Sequence, residues 1–186
     1  MIIVVDSSAL ILLLNPQASP PKDRNNGGPI NNCEGRINKF LDCLKADDTI
    51  IVPAPALAEI LVIAPDDGPA LIAQISSTAR FKIRPFGTQA AIETAMLARH
   101  ALKDGDKRAG VSAPWQKVKF DRQIIGTAVA ERADTLYSDD LNLIKHASQA
   151  GLNVLTTSDL PEPEHIATLF DALEQGPTKK VFPSEG

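Results

Sequence analysis

Ile2-Ile3-Val4-Val5-Asp6-Ser7-Ser8-Ala9-Leu10-Ile11-Leu12-Leu13-Leu14 is the stretch on which the reading of this chain turns. Residues 2–5 are all β-branched and suit a strand buried on both faces, while residues 7–14 suit a helix. Between them stands Asp6, the only charged side chain before Lys22. A carboxylate set between two apolar segments is costly to bury unless hydrogen bonds, an opposite charge or a metal compensates it. Two accounts are open. Asp6, Ser7 or Ser8 caps the helix, these being common capping residues; or Asp6 marks the carboxyl end of a strand in a parallel α/β sheet, where such folds bind ligands.

The rest of the chain alternates strands with helices. Residues 15–32 are rich in Pro, Gly and Asn and read as a long mobile loop inserted after the first helix. The apolar spacing of Ile37, Phe40, Leu41 and Leu44 predicts a helix over Glu34–Lys45. Thr49–Val52 reads as a second strand, and Pro53–Ala64 as a helix in which Glu59 is the only charge. A helix over Ala70–Thr78, a strand over Phe81–Phe86 and a helix over Gly87–Lys103 follow. Asp104–Lys119 reads as irregular, Phe120–Ala133 as a helix with Asp121 at its start, and Thr135–Tyr137 as a strand. After Ser138-Asp139-Asp140 come a helix over Leu141–Ala150, a strand over Asn153–Leu155, a helix over Glu164–Glu174 and a polar tail over 176–186. This alternation implies an α/β fold, a three-layer α/β/α sandwich around a central, mainly parallel, five-stranded sheet. Residues 1–175 form a single domain on this reading.

With 186 residues and 44% hydrophobic composition, the chain has enough material for one ordinary core. A net charge of −4 excludes a generally basic nucleic-acid coat, so any nucleic-acid contact must be local or metal-assisted. Cys33 and Cys43 are too few for a disulfide framework. No basic leader precedes the apolar start, Asp6 interrupts it, and no apolar run approaches the roughly 20 residues of a membrane span. The expectation is a soluble, cytoplasmic protein without membrane contact. The basic residues Lys107, Arg108, Lys117 and Lys119 gather near one aromatic, Trp115, as a nucleic-acid groove requires. A solvated charged loop is the alternative, because Asp104 and Asp106 dilute the charge.

Asp6 and Asp140 both fall at carboxyl ends of strands, while Glu59 and Asp121 lie early in helices starting beside the same edge. Four acids would converge there. Two carboxylates about 4 Å apart repel by roughly 4 kcal/mol at an effective dielectric near 20, so such a cluster calls for cations or protonation. Oxygen donors without His or Cys suit Mg²⁺ or Mn²⁺. His100, His146 and His165 are scattered, and nothing supports a Ser or Cys nucleophile. A phospho-acceptor domain pairs acids after its first strand and a haloacid-type phosphatase needs an acid two residues after its nucleophile; here Ser7 and Ser8 follow Asp6.

Four motifs in order resemble those of PIN-domain proteins, most closely the toxin ribonucleases of toxin–antitoxin pairs. They are Val-Val-Asp-Ser-Ser-Ala-Leu at 4–10, Ala-Leu-Ala-Glu-Ile-Leu at 56–61, Phe-Asp-Arg-Gln-Ile-Ile-Gly-Thr-Ala at 120–128 and Leu-Tyr-Ser-Asp-Asp-Leu-Asn-Leu at 136–143. The resemblance implies a metal-dependent ribonuclease hydrolysing RNA phosphodiester bonds. Asp6, Glu59, Asp121 and Asp140 would be its catalytic acids and the ligands of one or two Mg²⁺ or Mn²⁺ ions, with Asp121 or Asp140 as a candidate base. Ser8 and Ser138 would orient the acids, with Asp139 and Asn142 in support. Two positions depart from the pattern: Asn142 stands where many members have a further acid, and Asp139 where a neutral residue is usual. Lys117, Lys119 and Arg122 would grip RNA, and Trp115 would stack on an unpaired base. The resemblance further implies an antitoxin partner and a homodimer. The alternative is a catalytically silent PIN-like module that binds RNA or a protein partner.

Overall fold

The computed structural model describes residues 1–24, 26–103 and 105–163. Its centre is β1 (Ile2–Val5), flanked by β2 (Thr49–Pro53) and β4 (Thr135–Tyr137), with β3 (Phe81–Arg84) outside β2 and β5 (Val154–Leu155) outside β4. All four pairings are parallel, so the sheet expected to be mainly parallel is wholly so among the described residues. Parallel strands need crossovers, and these supply the helices: α1 (Ser7–Leu14), α2 (Cys33–Cys43), α3 (Ala54–Ile63), α4 (Gly68–Ser77), α5 (Thr88–Lys103), α6 (Trp115–Ala130) and α7 (Leu141–Gln149).

Period-two alternation divides the strand side chains between two cores. Ile3, Val5, Ile50, Val52 and Tyr137 pack with α1, α2 and Ile75 of α4 on one face. Val4, Ile51 and Leu136 pack with Ile124, Ile125 and Ala128 of α6 and Leu143 of α7 on the other. This makes the expected three layers, and explains why residues 2–5 carry no polar side chain: the central strand has no solvent face.

The order β3-β2-β1-β4-β5 reverses direction between β1 and β4. Parallel sheets open a crevice at the carboxyl edge at such a switch point. Asp6 ends β1 and Ser138-Asp139-Asp140 ends β4, so both border it.

One expectation needs correction. α6 begins at Trp115, behind Pro114 as N-cap, rather than at Phe120. Proline suits a helix start and explains the earlier onset; as a result Asp121 lies in the second turn and Lys117 one turn ahead of it. Within the inserted segment, Lys22 and Pro29 form an antiparallel bridge, the Asp23 N–H bonds to Gly28 O and Ile30 is buried. The expected helix over Glu164–Glu174 and the tail over 176–186 lie outside the described residues.

Candidate active site

Asp6 is 3% exposed and serves as the N-cap of α1. Its Oδ1 accepts the Ala9 N–H at 2.8 Å and the Ser8 hydroxyl at 2.9 Å, and its Oδ2 accepts the Ser138 hydroxyl at 2.5 Å. The capping account and the strand-end account therefore describe one residue. Burial pushes its carboxyl up to about 6, against the pull of these donors. Ser138 also accepts the Asp140 N–H at 3.0 Å, so one hydroxyl couples the ends of β1 and β4.

Asp140 caps α7, its Oδ1 accepting the N–H groups of Asn142 at 2.8 Å and Leu143 at 3.2 Å. Its Oδ2 lies 2.7 Å from Lys117 Nζ. Burial works to raise this carboxyl, but Lys117 and the capped N–H groups outweigh it and hold it below the usual carboxylate range. Asn142 thus contributes through its backbone.

Asp121 is 1% exposed. Its Oδ1 is 3.3 Å from the same Lys117 Nζ, an i,i+4 pair on α6, whereas its Oδ2 is buried with no hydrogen-bond partner. Burial pushes its carboxyl up to about 6; Lys117 opposes the rise, while the charges of Asp140 and Glu59 add to it. Glu59 is half-buried on α3 and accepts the Ser7 hydroxyl at 2.7 Å, which ties α3 to α1. Ser7 was not among the residues singled out for this site: nothing in its spacing says that Glu59 lies across from it.

The remaining candidates are distributed differently. Asp139 accepts the Thr157 N–H at 2.9 Å and hydroxyl at 2.5 Å, tying β4 to the short 3₁₀ turn Thr157–Asp159 after β5. Trp115 is flanked by cations, with Lys107 Nζ at 5.4 Å, the Arg122 guanidinium at 5.5 Å and Lys119 Nζ at 5.9 Å from the ring centroid. Of the basic residues expected to grip RNA, Lys119 is exposed, but Arg122 is only 4% exposed and donates to Lys107 O at 2.6 Å. Its guanidinium is not presented to solvent, because it is held against the Lys107 carbonyl and the Trp115 ring. Lys117 points into the acids.

The donor chemistry suits a hard divalent cation: the side chains are carboxylates, and Asp121 Oδ2 is an unused buried ligand atom. Asp121 and Asp140 fit as a pair, drawn to a common cationic centre. The convergence of all four is not realised: among the described residues, no three His, Cys, Asp or Glu side chains come close enough to hold one ion. Lys117 fills the space between two acids, and both oxygens of Asp6 are engaged by hydroxyl and amide donors.

The fold is similar to that of chains in three solved structures. One is VapBC2 from Rickettsia felis bound to a DNA fragment from their promoter, with a TM-score of 0.57, 16% identity and coverage of 84% of this chain and 98% of that chain. A second is VapBC-1 from nontypeable Haemophilus influenzae, with 0.56, 15%, 85% and 99% in the same terms. A third is Mycobacterium tuberculosis VapC20, described as a sarcin–ricin loop cleaving toxin, with 0.50, 13%, 86% and 99%. At these identities the likeness is one of fold, and the fold is that of PIN-domain VapC chains. No family model matches the chain, and no curated protein matches its sequence.

Proposed function

We propose that this chain is a divalent-metal-dependent endoribonuclease and the toxin of a toxin–antitoxin pair. The observation that carries the reading is Asp121: a carboxylate buried to 1% exposure, with one oxygen unpartnered, beside Asp140 at the switch point of the sheet. A buried acceptor without a partner costs about 1–3 kcal/mol, and more when charged, so its retention favours a role for that oxygen. The fold likeness to VapC20, described as a sarcin–ricin loop cleaving toxin, supports the substrate class, and the likeness to VapBC chains supports an antitoxin partner.

Asp121 and Asp140 would hold Mg²⁺ or Mn²⁺, with Asp6 and Glu59 completing the acidic wall and Ser8, Ser138 and Ser7 orienting them. Bound there, the ion supplies charge neutralisation at the scissile phosphate and a more acidic water. The residues do the rest. Asp121 or Asp140 would take up the proton of the attacking water through an oxygen that the ion leaves free. Lys117 Nζ, released from Asp140, pairs with a phosphate oxygen. Lys119 and Lys107 draw the RNA backbone toward Trp115, whose ring offers a stacking face.

One observation favours a catalytically silent, RNA- or protein-binding module instead: Lys117 already neutralises Asp121 and Asp140. Calorimetric titration of Mn²⁺ into the wild type and Asp121→Asn, followed by RNA cleavage with and without Mn²⁺, separates the readings. The nuclease reading expects binding that the substitution removes and cleavage that requires the metal. Absence of both in the wild type selects the silent module.

A further inference from the structure

Trp115, Lys119 and Arg122 stand at i, i+4 and i+7 on α6 and so share one stripe of the helix. The stripe itself brings two cations to the indole, with Lys119 Nζ 5.9 Å and the Arg122 guanidinium 5.5 Å from its centroid. The third, Lys107 Nζ at 5.4 Å, comes from the 105–113 loop, and no helix geometry puts it there. Val111 and Ala113 anchor the far end of this loop against Val118 and Trp115. Nearer its start, a cavity of about 670 Å³ between α5, α6, α7 and the loop is lined by Asp106 and Ala109, so packing does not secure the loop on that side. Hydrogen bonds do. Arg122 Nη2 donates to Lys107 O at 2.6 Å, His146 Nε2 to Arg108 O at 2.9 Å and Lys145 Nζ to Gly110 O at 2.7 Å. Within the loop, Asp106 accepts the N–H groups of Arg108 at 2.9 Å and Gly110 at 2.5 Å.

Of the three donors, Arg122 is the one that meets both the Lys107 backbone and the Trp115 ring. A guanidinium can do both, because its donors lie in its plane and its face stacks on an aromatic. Arg122 is only 4% exposed, and burying its charge is costly. The charge of Asp106 offsets part of that cost. Lys107, by contrast, is exposed and Trp115 partly so, which leaves both open to a ligand. We propose that Arg122 is a positioning residue for RNA: it fixes the Lys107 backbone beside the Trp115 ring, so that ammonium and indole meet one unpaired nucleotide together, at its phosphate and at its base. This rests on the reading of RNA as the substrate. Arg122 touches no RNA, and it sets affinity rather than the chemical step.

Trp115 is the only tryptophan of the chain, so its fluorescence reports on this surface alone. A short unpaired oligoribonucleotide of mixed sequence is titrated into the full chain in EDTA, over a range of salt concentrations. The wild type should show quenching on binding. Lys107→Met and Arg122→Met should each weaken binding roughly three- to fivefold, the scale of one exposed ion pair. Each should also lower the slope of log affinity against log salt by about 0.7. The double variant should lose no more than either single one, because Arg122 acts through Lys107. With Mn²⁺ in place of EDTA, KM should rise by the same factor while kcat holds. Wild-type affinity in Arg122→Met, losses that multiply in the double variant, or an equal fall in kcat would overturn the proposal. Cleavage by the wild type without quenching would overturn it too, yet leave the nuclease reading intact; quenching with the expected losses but no cleavage sinks the nuclease reading alone. Arg122→Lys keeps a cation without the planar face and should match Arg122→Met. Should neither fold, Lys107→Met decides: full affinity overturns the proposal and a loss supports it.

Discussion

Asp121 and Arg122 are consecutive, opposite in charge, and both almost completely buried, yet they serve different halves of the molecule. Asp121 faces the carboxyl edge of the sheet, where Lys117 answers one of its oxygens. Arg122 faces away from the sheet edge, against the Trp115 ring and a loop carbonyl. Both retain one unpartnered polar atom. The difference lies in the surroundings: the charges of Asp140 and Glu59 act on Asp121, whereas Arg122 meets the Trp115 ring, a loop carbonyl and the charge of Asp106. A buried charge with incomplete partners marks a role, and its neighbours decide whether that role is to meet a ligand or to hold a loop. The largest expected effect follows directly. Asp121→Asn should lower metal-dependent RNA cleavage by roughly 100-fold or more, in the range for loss of a positioned acid or base, while Arg122→Met, if folded by circular dichroism, should leave cleavage within a few-fold. Equal losses in the two variants would collapse the distinction between the two faces.

The two faces share α6, and α6 is held by a close approach to α5. A Cβ added at Gly126 would meet Thr94 Oγ1 at 2.2 Å and Ala90 O at 2.7 Å. Backbone cannot yield as a flexible side chain does, and Thr94 is itself fixed by a 3.1 Å bond to Arg122 O. Gly126→Ala should therefore destabilise the fold by about 1–3 kcal/mol, as overpacking does, measured by urea denaturation. Because the strain falls between α5 and α6, chemical shifts should move more around the cavity than around Asp6 and Asp140. A neutral outcome would mean that the helices are not so closely apposed.

A smaller effect tests the cation already present among the acids. Lys117→Met removes the ammonium that Asp121 and Asp140 share. If those acids hold a divalent ion, the variant should bind Mn²⁺ several-fold more tightly by calorimetry and yet cleave RNA more slowly, because the residue that would pair with the phosphate is gone. Unchanged affinity would show that the ion and the lysine do not compete.

What the sequence disclosed about these two faces is uneven, for physical reasons. Asp6 and Asp140 were legible because each interrupts apolar surroundings where a strand gives way to a helix, a local pattern. The three layers were legible because alternation and buried-strand composition are local too. The onset of α6 was not: Trp115–Lys119 has a polar, charged face that reads as loop, and only Pro114 hints at a start. With that onset misplaced, the i,i+4 relation of Lys117 to Asp121 was hidden; Arg122 read as a surface grip because its bond to the Lys107 carbonyl and its place on the Trp115 ring come from tertiary packing. The Ser7–Glu59 bond and the cavity depend on residues distant in the chain, which no spacing rule reports.

The subtlest difference between the two faces is in their response to pH. Burial holds the His146 imidazole neutral, with its pKa below the ordinary 6.5, and the nearby Arg122 charge pushes the same way, though the Arg108 carbonyl opposes them. The groups around it are Arg108, Asp106, Lys145 and Arg122. In the unfolded chain a histidine protonates near 6.5. Between the depressed folded value and 6.5, the unfolded state binds more protons, so stability falls as pH drops through 6.5 and levels off below the folded pKa. Above 6.5 the group contributes no slope. His146→Gln cannot titrate, so urea midpoints of the variant should fall less than those of the wild type between pH 7 and pH 5.5, with the carboxylate contributions common to both. A parallel fall in the two proteins would show that His146 is already free to protonate in the fold, and hence that its side of the cavity is wetter than its burial implies.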